Sequence, residues 1–130
     1  MRPSIFILIT TFLAVILAAC GSSNAVQPTP TGAPVTITLA TVPSPAATGE
    51  ITLQFTVTDN QGQPVAGADF DVIADHTDMR GMTMHGKASE QTAGQYAINA
   101  DFSMSGKWKL TVQVQKENLN HKEEINLDIE

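Results

Sequence analysis

The sequence predicts an all-β fold, an antiparallel β-sandwich of six or seven strands. Three observations carry that expectation. From Val35 to the C-terminus, apolar residues recur at every second position in segment after segment. That is the period of a strand with one face buried and the other in water, so the sheets are antiparallel. Clusters of Gly, Pro, Asn and Asp separate the segments, as turns require. No segment beyond residue 34 carries a helical period, and no repeat of 20 to 50 residues points to a solenoid.

The chain begins with a segment that reads as an address. Arg2 gives a short positive start, and Ile5 to Leu17 is apolar but too short for a permanent membrane span. Leu17-Ala18-Ala19-Cys20 followed by Gly21-Ser22-Ser23 resembles the lipobox of bacterial lipoproteins. The resemblance implies a signal peptide over residues 1–19, cleavage before Cys20, and lipidation of Cys20. A lipidated Cys20 would place the protein at the cell membrane, facing away from the cytoplasm. Stable anchoring takes two acyl chains or more. Cys20 is the one cysteine, so no disulfide is expected. Residues 20–34 are rich in Ser, Pro, Thr, Gly and Ala and carry no charge. Such a composition cannot bury a core and reads as a flexible tether. The folded domain is expected over residues 35–130.

Within the domain the strands follow in order. Val35, Ile37 and Leu39 alternate with threonines, and Pro43-Ser44-Pro45 breaks the run. Ile51, Leu53, Phe55 and Val57 form the next inward face, closed by the turn cluster Asp59 to Pro64. Phe70, Val72 and Ala74 follow, then a short strand around Met82 to Lys87. Gly94 opens a strand with Tyr96, Ile98, Ala100 and Phe102 on one face. Gly106 precedes Trp108, Leu110, Val112 and Val114, and the last strand shows Ile125, Leu127 and Ile129. Trp108 is expected in the core.

Several of these residues align with a known pattern. They are Gly62-Gln63-Pro64-Val65-Ala66-Gly67-Ala68 before a strand, Met79-Arg80-Gly81-Met82, Gly94-Gln95-Tyr96, and Phe102-Ser103-Met104-Ser105-Gly106-Lys107-Trp108. From Pro45 to Gln115 the chain resembles the YtkA-like domains, which are related to FixH proteins. The resemblance implies an immunoglobulin-like β-sandwich. It also implies a neighbourhood of copper-handling and cytochrome-oxidase assembly proteins as partners. It supplies no catalytic residues. Met79, Met82 and Met104 match the methionine positions of the pattern, whereas Arg80, His76 and His85 have no counterpart in it.

The chemistry of the sequence gathers in His76 to His85, HTDMRGMTMH. Thioethers are soft, uncharged ligands and imidazole suits copper, so this stretch reads as a Cu(I) site made by His76, Met79, Met82, Met84, His85 and Met104. An up-and-down strand path brings the loop His76 to Gly81 and the loop Asp101 to Gly106 to one end of the sandwich. It puts His121, between the last two strands, at the other end, about 26 Å away. Asp75 and Asp78 flank His76 and could orient its ring or supply oxygen to a harder ion. The competing reading is plain packing: Met82 and Met84 share a strand face, and methionine fills irregular core gaps.

Other classes fall away. Without Arg2 the chain has six Lys and Arg against thirteen Asp and Glu, a balance of −7. That argues against nucleic acid and against electrostatic attachment to anionic lipid. Asp69 and Asp71 share a face as exposed neighbours, not as an acid–base pair lining a cleft. There is no Ser-His-Asp set, phosphate loop or CxxC, so an enzyme is not expected. Two functions remain. One is a membrane-anchored copper-binding module for storage or delivery to an oxidase or efflux partner. The other is a metal-free assembly or adhesion module using the methionine loop as a contact surface.

Overall fold

The computed structural model describes residues 34–130. The signal segment, Cys20 and all but the last residue of the tether lie outside the described residues. Seven antiparallel strands follow one another: β1 (Val35–Val42), β2 (Gly49–Asp59), β3 (Asp69–His76), β4 (Thr83–Thr92), β5 (Gln95–Phe102), β6 (Gly106–Lys116) and β7 (Leu119–Ile129). Their hydrogen-bonded order is β1-β2-β5-β4-β3-β6-β7. The order matches the constant-type immunoglobulin sandwich, with β1-β2-β5-β4 as one layer and β3-β6-β7 as the other. One feature departs from that plan. β4 serves both layers, pairing through Thr83–Ala88 with β3 and through Ser89–Thr92 with β5. A register shift between Glu90 and Thr92 accompanies the crossing.

The core is the set of alternating residues the sequence points to. Ile51, Leu53, Phe55 and Val57 of β2 face Phe70, Val72 and Ala74 of β3 and Leu110, Val112 and Val114 of β6, all buried. Each large apolar side chain so removed from water contributes about 1.5–3 kcal/mol. Trp108 is buried as expected. The aromatic rings form two groups at opposite ends. Phe70 packs on Phe55 and Tyr96 at centroid distances of 4.7 and 5.2 Å. Trp108 meets His76 and Phe102 edge-on, each at 5.0 Å. The Tyr96 hydroxyl donates to the Val65 carbonyl and accepts the Ala68 N–H, fixing the β2–β3 connection. Burial, together with the nearby Glu90 carboxylate, holds the Tyr96 phenol above its ordinary pKa, opposed in part by the Ala68 bond.

Three expectations need correction. β4 runs to Thr92, beyond the expected end near Lys87, because it continues as a strand after it leaves β3. β7 starts at Leu119, so His121 sits inside a strand, not between two. It pairs with Val114, six residues along β6 from Trp108, the partner of His76. His121 is therefore at the far end of the sheet, at about 20 Å, a shorter separation than the strand count suggests. Asp69 is exposed but Asp71 is half-buried, and both approach Lys87, at 3.5 and 3.8 Å.

Candidate functional site

The antiparallel register fixes which loops meet. His76 ends β3 opposite Trp108 near the start of β6, and β5 ends at Phe102 opposite Gly49. The β3–β4 loop (77–82) and the β5–β6 loop (103–105) therefore share one end of the molecule, as the strand path predicts. Backbone bonds tie the loops down: Thr77 N–H donates to the Lys107 carbonyl at 2.9 Å, and His76 N–H to the Met82 carbonyl at 3.1 Å.

His76 is the connecting piece. It has the inward parity of Phe70, Val72 and Ala74, and its ring is buried against Trp108. Its Nδ1 accepts the Asp78 N–H at 3.2 Å, and its Nε2 lies 3.2 Å from the Ser105 carbonyl. A carbonyl can only accept, so Nε2 carries the proton and Nδ1 offers its lone pair to Asp78. One imidazole thus bridges the two loops. Gly106 makes room for it: with φ at +125°, a Cβ there would stand 2.9 Å from His76 Nε2. The aspartate roles differ from expectation. Asp78 orients the ring through its backbone N–H, while the Asp75 carboxylate accepts from the Thr83 hydroxyl.

The other donors divide around this bridge. Met79 follows Asp78 and Met104 precedes Ser105, so one thioether adjoins each end of the His76 link. Both are exposed, at 43% and 37%, and the Met104 carbonyl accepts from Trp108 Nε1 at 3.2 Å. Met82 and Met84 are partly buried against the core. His85 is exposed on the opposite face of β4 from Met84. Met84 and His85 both border a cleft of about 420 Å³ that opens where β4 parts from β5, across from Ile98 and Asp101. Its lining reaches Met84 near the start of β4 and Asp101 near the finish of β5, toward the end that carries the two loops.

The structure therefore brings His76, Met79, Met82 and Met104 to one end. It sets Met84 one strand step inside and turns His85 outward. Both His76 nitrogens are engaged by backbone, which makes His76 a positioning residue in this arrangement. The thioethers and the outward His85 imidazole are the donors left to a soft ion. Among the described residues no three His, Cys, Asp or Glu side chains gather as a metal site. Sequence reasoning missed Val42, the remaining exposed large apolar side chain among the described residues, which ends β1 at this same end. Its signal was the final position of an alternating strand just before Pro43.

A family model described as YtkA-like matches residues 30–113. Comparison with curated proteins and with solved structures gives no match.

Proposed function

From the premise that the chain belongs to the YtkA-like family, we propose that it is a membrane-anchored module outside the cytoplasm that binds one Cu(I) at the β3–β4 and β5–β6 loops, for storage or for delivery to an oxidase or efflux protein. The observation that carries this is the pair of exposed thioethers, Met79 and Met104, on loops joined through one buried imidazole. Thioether sulfur suits Cu(I), and exposed sulfur is open to exchange with a partner. Met82 and Met84 stand behind the exposed pair, and His85 at the cleft supplies the free imidazole of the stretch. His76 would act as the residue that fixes the loops, the kind of outer support whose loss typically costs about 10–100-fold in metal affinity. Lipidated Cys20 would provide the anchor.

The test is competition for Cu(I) against a chromogenic chelator, using the full chain with Cys20→Ala so that no thiol competes. One equivalent should bind. Met79→Ala, Met104→Ala and His85→Ala should each weaken it, and His121→Ala, at the far end, should not. If His121→Ala weakens binding as much as Met104→Ala does, the site lies elsewhere.

A second reading is favoured by one observation. Val42, Met79 and Met104 are the exposed large apolar side chains among the described residues, and all stand at one end. A metal-free assembly module would use that end as a contact surface. Absence of Cu(I) binding in the same titration would leave this reading in place of the first.

A further inference from the structure

The chain's sulfur atoms belong to five methionines and Cys20. In the folded part they fall into two exposure classes. Met79 and Met104 are exposed, whereas Met82 and Met84 are partly buried on the core. We propose that Met79 and Met104 are reversible oxidation sites, taking an oxygen atom from a two-electron oxidant such as hypochlorous acid while Met82 and Met84 stay reduced. In this step the thioether lone pair attacks the oxidant's oxygen and an S–O bond forms. The O–Cl bond breaks, chloride leaves, and the hydroxyl proton passes to solvent. Sulfur loses two electrons and the oxidant gains them. The product is a sulfoxide, which methionine sulfoxide reductases return to thioether.

The structure explains why the fold would survive the change. Among the described residues, the bonds that hold the two loops use backbone atoms, the His76 ring, the Thr77 hydroxyl and the Trp108 indole, and none uses a sulfur. They are Thr77 N–H and Thr77 Oγ1–H to the Lys107 carbonyl, His76 N–H to Met82, the two His76 ring bonds, and Trp108 Nε1 to the Met104 carbonyl. A sulfoxide on Met79 or Met104 would project its dipole into water. On Met82 or Met84 the same dipole would fall against the core on which both pack, where an unpaired polar group is costly. The inference stands without the copper reading, because it concerns the metal-free protein.

The experiment is peptide mass mapping of the full chain with Cys20→Ala, treated with a chelator and then with limiting hypochlorous acid. Sulfoxide should appear at Met79 and Met104 several-fold faster than at Met82 and Met84. The urea midpoint of the oxidised protein should hold, and the two sulfoxide reductases together should reverse the modification. A chain with both Met79→Leu and Met104→Leu should, at the same dose, show sulfoxide at Met82 and Met84 and a lower midpoint. Equal rates at all four methionines would overturn the proposal. So would unfolding of protein modified only at Met79 and Met104.

Discussion

Replacing His76 by alanine removes the bridge between the two loops, and its cost can be worked from its contacts. Two hydrogen bonds go, to the Asp78 N–H and the Ser105 carbonyl, each worth about 1 kcal/mol. The edge-on contact with Trp108 goes as well, worth about another 1 kcal/mol. The expected loss is about 3 kcal/mol, a large share of the 5–15 kcal/mol typical of a folded domain. With a urea slope of about 1–3 kcal/mol/M, the midpoint should fall by roughly 1–3 M with the slope unchanged. Trp108 is the chain's one tryptophan, so its fluorescence reports the transition from the wall of the site itself. His121→Ala is the matched control. Its partner Glu123, at 3.4 Å, is partly exposed, and such pairs contribute about 0–1 kcal/mol. If His76→Ala shifts the midpoint no more than His121→Ala, then His76 does not hold the two loops together.

Two other predictions concern the far end of the domain and the anchor. Because burial raises the folded-state pKa of Tyr96, its contribution is fully present below the unfolded value of about 10 and is lost as pH rises through the folded one. Tyr96→Phe should cost about 1–3 kcal/mol near neutrality, through the lost bonds to Val65 and Ala68. It should also flatten the decline of stability above pH 10; an alkaline slope equal to that of the parent would refute the assignment. Cys20→Ala should abolish palmitate labelling and release the protein from the membrane fraction, and membrane association surviving that change would eliminate the lipid-anchor reading.

The strands were legible wherever one face is buried. β2, β3 and β6 alternate, apart from Ile73 on the outer face of β3 and the buried Thr111 of β6, because their inner residues meet the opposite layer. β4 was read short because its last four residues, Ser89 to Thr92, are exposed on both faces and carry no alternating apolar signal. The first half of β7 was hidden for a related reason. His121 and Glu123 occupy the inward parity of that edge strand, where an apolar residue would have announced it. The meeting of the two methionine loops followed from strand direction alone, which is a local property. The neighbour order was not available, because β2 beside β5 and β3 beside β6 are pairings between distant segments. Nor was the engagement of His76. Its inward parity could be seen, but its partners are the backbone atoms of Asp78 and Ser105, and backbone leaves no mark in side-chain pattern.

The direction of β1 decides what the candidate site can reach. β1 enters at Val35, paired with Asp59, and finishes at Val42, paired with Thr52 on the side of the methionine loops. The chain therefore arrives from its N-terminal segment at the end remote from Met79 and Met104. Eight strand residues, about 26 Å, lie between entry and site. The fourteen residues from Gly21 to Pro34 add at most about 50 Å of contour. The point where the chain enters the domain and the sulfur-bearing tip are therefore at opposite ends of it, so a hold on the N-terminal segment leaves the tip unobstructed.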